Sequence, residues 1–192
     1  MVKIIDNALN DSLLVLIQER VGEHQMPWMF NKNSAVSPQS LVKDQELIIN
    51  QTPLNFSFNH IAWNASTGEI SHLYDLTNSI GLILKDLFEL KRSHICRLRW
   101  GMTTTINKIH RHTPHTDMQN TKDPHRPHKV ILFYLNVSDG DTYFYDKEHK
   151  IIDSVTPKEN RAVLFDGSIL HSSSKPIKFP KRIVLNVNLV DK

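Results

Sequence analysis

Two textures divide the chain. Up to about residue 90, apolar positions recur at the three-to-four spacing of helices. Leu13, Leu16, Ile17 and Val21 share one face of a helix that Asn10 can cap and Gly22 can end. Leu73, Leu76, Ile80, Ile83, Leu84, Leu87 and Leu90 predict a second helix over Leu73–Leu90. Residues 23–70 are less regular. Their alternating stretch at Asn55–Trp63 predicts a strand or two among loops. From about Ser93 the period falls to two. Strands are expected at His94–Thr105, Lys129–Val137, Ile151–Val155, Arg161–Phe165, Ile169–Ser173 and Arg182–Val190. Asp139-Gly140 predicts a turn folding the second of these back onto Asp141–Asp146. So many short strands in about a hundred residues predict an α+β, mainly β fold, a sandwich or jelly roll with the N-terminal helices packed on one sheet. The 192 residues suit one domain, in which 1–92 supports and 93–192 forms the core.

Composition narrows the class. Hydrophobic residues make up 40% and charged residues 22%, as in an ordinary globular protein. Cys96 is the only cysteine, which excludes an intrachain disulfide and a cysteine-based zinc site and favours a reducing, cytoplasmic compartment. No apolar run approaches the ~18 residues of a membrane helix, and Met1–Asn10 lacks the apolar stretch of a secretory signal. A net charge of +3 leaves nucleic-acid binding open without arguing for it.

Chemistry concentrates around the histidines, five of which fall between Lys108 and Lys129. In an extended strand, residues i and i+2 point to the same side. His115 and Asp117 can therefore converge on one ion, and His171 can join them from a later strand. Two imidazoles and one carboxylate on one face of an octahedron leave three positions open, the arrangement of non-haem Fe(II) oxygenases. A lone His-x-Asp is a weak signal. The context strengthens it: His171 follows the turn Asp166-Gly167-Ser168, and Arg182 comes eleven residues later at the head of the last strand.

From Ser93 to Val190 the chain resembles the 2-oxoglutarate/Fe(II) dioxygenase superfamily, most nearly its prolyl hydroxylase-like branch with small phage and bacterial members. Its pattern of His-x-Asp, a distal His and a basic residue about ten positions on is matched by His115, Asp117, His171 and Arg182. Tyr134-Leu135-Asn136, Asp139-Gly140-Asp141-Thr142 and Arg161–Phe165 resemble further family segments, and Ile4–Leu9 is a weaker match. The resemblance implies a double-stranded β-helix and the cofactors Fe(II), 2-oxoglutarate and O2, with ascorbate as a stimulant. It implies His115, Asp117 and His171 as metal ligands, and Arg182 and Tyr134 as the partners of the cosubstrate's distal carboxylate, with Lys175 or Lys181 as alternatives to Arg182. The reaction implied is hydroxylation of a peptide, protein or small molecule, with release of succinate and CO2, in a cytoplasm (the host's, for a phage-borne member). Asp117 departs from halogenases, which carry a small residue there. Val184 departs from the plant and penicillin-synthase branch, which has serine.

Ordinary readings stand beside these. Arg182 can be a surface arginine next to Lys181, and Tyr134 can be core, since it sits in the apolar run Val130–Leu135. Asn136 and Asn186 face inward if they share parity with Tyr134 and Arg182, as substrate contacts or as buried polar groups satisfied by backbone. His110 and His112 read as residues behind the ligands or in a loop, His125 and His128 as loop and strand entry, Cys96 as packing. Two other functions compete, a nucleic-acid oxidative demethylase and a non-catalytic metal-binding jelly roll. The demethylase branch carries a second arginine in its last strand, and none follows Arg182 here. Met118–His128, nearly devoid of apolar residues, is expected to be a lid. Five cationic residues between Lys108 and Lys129 would give it a positive rim that suits a polar or acidic substrate.

Overall fold

A computed structural model describes residues 2–23, 26–32, 34, 54–117 and 127–191. The lid expected at Met118–His128 lies outside them up to residue 126, as does His125. In chain order the elements are β1 (Lys3–Ile5), α1 (Asp11–Ile17), β2 (Met29–Asn31), β3 (Ser57–Asn64), β4 (Glu69–Ile70), α2 (Tyr74–Leu87), β5 (Ser93–Thr104), β6 (His128–Tyr134), β7 (Thr142–Tyr145), β8 (Ile151–Val155), β9 (Arg161–Asp166), β10 (Leu170–Ser173) and β11 (Lys181–Asp191).

The strands form two antiparallel layers. The large sheet runs β1-β9-β6-β11-β5-β3-β2, with β4 beside β3. The small sheet runs β10-β7-β8, and the bridges Arg111–Ser174 and His115–His171 lay the 111–115 segment along the free edge of β10. This is the mainly β, double-layered architecture expected of a jelly roll, and the strands before residue 92 join the same sheet as those after it.

Alternation along each strand separates two interiors. Leu98, Trp100, Ile131, Phe133, Leu185, Val187 and Leu189 point outward, into a core closed by Ile17 of α1 and by Ile80 and Leu84 of α2. Val130, Leu132, Tyr134, Val163, Phe165 and Val184 point the other way and meet Phe144 and Val155 of the small sheet. The central strands are therefore covered on both faces, and β11 is buried from Arg182 to Val190.

The structure corrects three local expectations. Gly22 does not end the first helix; α1 is followed without a break by a wider π turn, Gln18–Glu23. The Asn10 cap is as expected, its Oδ1 accepting the Leu13 N–H at 2.9 Å. The buried face of α2 is centred on Thr77, Ile80, Gly81 and Leu84, while Ile83 and Leu87 stay about two-fifths exposed. The cause is close approach. A Cβ on Gly81 would stand 3.0 Å from Ile95 Cδ1, so the helix lies close to the sheet at Gly81, with Ile80 and Leu84 buried beside that contact. Third, Asp139-Gly140 does not make a hairpin of β6 and β7. Both edges of β6 are taken, by β9 and β11, so the chain crosses to the small sheet, where β7 pairs with β8 and β10. The Asp139 carboxylate accepts the N–H groups of Ile177 and Lys178, tying this crossing to the segment that leads into β11.

The N-terminal strand was not apparent from the sequence. It pairs with the edge of β9, and the segment just after it is held by Asn160, a buried residue at φ +61°. The Asn160 amide accepts from Leu9 N and donates to Leu9 O, both at 2.8 Å, and its carbonyl accepts from Ala8 N. Replacing Asn160 with Ala strands a buried N–H and a buried C=O and leaves a non-glycine residue in the left-handed region. The expected cost is about 2–4 kcal/mol, seen as a fall of roughly 5–15 °C in the thermal unfolding midpoint. An unchanged midpoint would show that β1 is not secured at this residue.

Candidate metal centre and its cavity

His115 makes the last bridge of the 111–115 edge segment, directly opposite His171 of β10, and Asp117 follows two residues later. One ligand atom from each of the three falls within 4.8 Å of the others. Each imidazole turns Nδ1 to a backbone carbonyl, His115 to Thr113 O at 3.1 Å and His171 to Ile169 O at 3.0 Å. A carbonyl can only accept, so Nδ1 carries the proton and Nε2 keeps its lone pair. Both Nε2 atoms stand 3.8 Å from Asp117 Oδ1.

Burial sets the protonation. Desolvation lowers His115 to about 4 and lowers His171 as well. The imidazoles are thus neutral, and their approach to Asp117 is a convergence of donor atoms, not an ion pair. Burial alone would raise the Asp117 carboxyl, but the guanidinium of Arg97 foremost, with that of Arg99, holds it well below the usual range. Its two oxygens are differently engaged. Oδ2 accepts amide N–H bonds from Asn186 at 2.7 Å and Asn188 at 3.0 Å. Oδ1 faces the imidazoles, with Arg97 Nη2 at 3.3 Å. Two neutral nitrogens and one carboxylate oxygen, each oriented by a second partner, suit a divalent first-row metal with open coordination positions.

A cavity opens beside the three residues, with Arg182, Thr142 and Arg99 among its polar walls and Leu132 and Val184 among its apolar ones. Arg182 is buried. Its Nη2 donates to Thr142 Oγ1 at 2.8 Å, which also bonds Tyr134 Oη at 2.8 Å. Arg182 Nε has no hydrogen-bond partner among the described residues. The glycine at 140 makes this packing possible: a Cβ there would lie 2.6 Å from Ser174 O and 3.2 Å from Arg182 Cδ. Gly101 is the opposite case. It lines the cavity, and a Cβ there would meet nothing.

The sequence-derived residues His115, Asp117, His171 and Arg182 all line this one cavity, and Tyr134 backs it through Thr142. Lys175 and Lys181 do not line it. The Lys175 ammonium lies 3.4 Å from the Phe56 ring centroid, and Lys181 donates to Gly22 O. Asn136 is satisfied by backbone, bonding Val137 O, Lys181 O and Ile183 N. Asn186 is not satisfied by backbone: it lines the cavity, and its amide N–H donates to Asp117. His112 is buried behind the ligands with Nδ1 2.9 Å from Ser173 Oγ. Arg97, Arg99, Asn188 and Thr142 were missed. Their signal was parity: Arg97 and Arg99 alternate with Leu98 and Trp100, and Asn186 and Asn188 continue the row begun by Arg182.

Residues 102–190 match the model of the 2OG-Fe(II) oxygenase superfamily. No curated protein matches the sequence. Solved structures share the fold at low identity. A 2OG-Fe(II) oxygenase family oxidoreductase from Burkholderia pseudomallei aligns with a TM-score of 0.68 and 10% identity, over 98% of this chain and 85% of that one. A prolyl hydroxylase from Trichoplax adhaerens, in complex with a hypoxia inducible factor peptide fragment, gives 0.64 and 16%, over 99% and 77%. HygX from Streptomyces hygroscopicus, with nickel, 2-oxoglutarate and hygromycin B bound, gives 0.60 and 8%, over 100% and 83%.

The two asparagines leave Asp117 one free oxygen for a metal. Replacing both Asn186 and Asn188 with Ala should weaken Ni(II) or Mn(II) binding by about 10- to 100-fold, the usual effect of losing groups that orient a ligand. Calorimetric titration reads this directly. Full affinity in the double variant would mean that Arg97 alone orients the carboxylate.

Proposed function

We propose that this chain, whose residues 102–190 match the model of the 2OG-Fe(II) oxygenase superfamily, is an oxygenase of that superfamily that binds Fe(II) with His115, Asp117 and His171 and anchors 2-oxoglutarate with Arg182 and Tyr134. The observation that carries the reading is the single cavity joining a two-histidine, one-carboxylate donor set to a buried arginine with an unfilled donor. Together Fe(II) and 2-oxoglutarate supply O2 activation, with the keto acid oxidised to succinate and CO2 while the substrate gains a hydroxyl oxygen.

The chain's own residues divide the remaining work. His115 and His171 offer neutral Nε2 atoms, and Asp117 offers Oδ1 as the single anionic donor. Arg182 presents a planar guanidinium to the distal carboxylate of the keto acid. Thr142 and Tyr134 hold that guanidinium in place, and burial raises the pKa of the Tyr134 phenol, which keeps its proton at neutral pH. Leu132 and Val184 give the methylene chain an apolar wall. Asp117 fills the position that must be vacant for halide, which favours hydroxylation over halogenation.

The substrate is an organic molecule or a peptide side chain that reaches the metal over the open side of the cavity. Structural neighbours bind both kinds, the Trichoplax protein a peptide and HygX a small molecule. Among the described residues no helix is long and apolar enough to cross a membrane. One oxygenase domain comprising both sheets is the organisation that fits this reading.

Purified protein with Fe(II) should convert 2-oxoglutarate to succinate and CO2, slowly without substrate and faster once a substrate is found. Asp117→Ala should abolish both stoichiometric metal binding and succinate release; metal held at full affinity would overturn the ligand assignment. Arg182→Ala leaves a carboxylate unpaired in a desolvated pocket, a loss of about 3–5 kcal/mol. The KM for 2-oxoglutarate should rise roughly a hundredfold or more, with metal binding intact. An unchanged KM would remove Arg182 from the pocket's chemistry.

A further inference from the structure

The cavity holds a second cation that the reading above does not use. Arg99 lies on β5 opposite Asn186, on the row of inward residues Arg97, Arg99, Gly101 and Thr103 that faces Asn188, Asn186, Val184 and Arg182 of β11. It lines the cavity beside the histidines and Asp117. Its Nε is buried without a hydrogen-bond partner, and no ion pair reaches it among the described residues. Asp117, the nearest acid, is already engaged by Arg97, Asn186 and Asn188. Desolvation lowers Arg99 to about 10, so the guanidinium is still charged at neutral pH. A partly buried guanidinium on a cavity wall, with its Nε enclosed and no anion paired with it among the described residues, is costly unless a ligand brings one.

The wall between Arg99 and Arg182 has a matching character. Arg182 is four residues from Asn186 along β11, roughly 13 Å of strand, too far for one carboxylate to serve both arginines. Between them lie Gly101, whose missing side chain leaves room, and the apolar side chains of Val184 and Leu132. The order is cation, apolar floor, cation. We propose that Arg99 binds the keto-acid end of the cosubstrate, opposite the distal end held by Arg182.

This rests on the oxygenase reading, and the two can fail separately. The test uses Ni(II)-loaded protein and three probes titrated calorimetrically: 2-oxoglutarate, 2-oxovalerate (the same keto-acid end without the distal carboxylate) and glutarate (both carboxylates without the ketone). Arg99→Gln should weaken all three by a similar factor of about 10- to 100-fold, the worth of charge-assisted hydrogen bonds. Arg182→Gln should weaken 2-oxoglutarate and glutarate but leave 2-oxovalerate unchanged. Arg99→Lys should recover part of the loss. Ni(II) affinity should be kept or rise in Arg99→Gln, because a neighbouring cation has been removed. Wild-type affinity for 2-oxovalerate in Arg99→Gln, or loss of Ni(II) binding in that variant, would overturn the assignment of Arg99. Failure of the wild-type Ni(II) protein to bind any keto acid would instead overturn the oxygenase reading itself.

Discussion

A strand hydrogen-bonded along both edges and covered on both faces meets no water, so every polar side chain on it must find its partner inside the protein. β11 is such a strand, paired with β5 and β6 and buried from Arg182 to Val190. Its outward residues Ile183, Leu185, Val187 and Leu189 need only an apolar neighbour, which α1 and α2 supply. Its inward residues Arg182, Asn186 and Asn188 need acceptors, and they obtain them from Thr142 and Asp117 on other segments. The site is the place where these needs are met. Its stiffness follows from the sheet, because none of these groups can move without losing a buried hydrogen bond.

The same desolvation sorts the charged groups. It keeps both imidazoles neutral, which frees their Nε2 lone pairs, and it would neutralise Asp117 too if Arg97 and the neighbouring cations did not oppose it. The outcome is a small cavity walled by Arg99 and Arg182, with a third arginine, Arg97, against the Asp117 carboxylate. Such a distribution favours anions of high charge density at low dielectric, where a unit charge interacts far more strongly than in water. Fold and electrostatics thus point the same way, since the inward row that fixes the metal ligands also supplies the positive walls.

Much of this was legible in the residues. The period-two segments gave nearly every strand from β5 onward to within a few residues, and His115-x-Asp117, His171 and Arg182 stood out by type and order. What misled were features whose cause is non-local. Gly22 carries a π turn, α2 approaches the sheet most closely at Gly81, and Asp139-Gly140 joins two sheets because β6 has no free edge left. β1 escaped notice because its three residues form a strand only through Asn160 and the edge of β9.

By itself the sequence determined the alternation: which residues lie two apart on a common face, and hence that Arg182, Val184, Asn186 and Asn188 form one row and Arg97, Arg99 and Gly101 another. That follows from the geometry of an extended chain and needs no partner. Only the tertiary structure decided what each row faces. Register between β5 and β11 set Arg99 against Asn186, and the approach of the 115–117 segment gave both asparagines to Asp117 Oδ2. These pairings join residues about seventy or more positions apart, and they depend on how two sheets close over one another, a property no local pattern of residues carries.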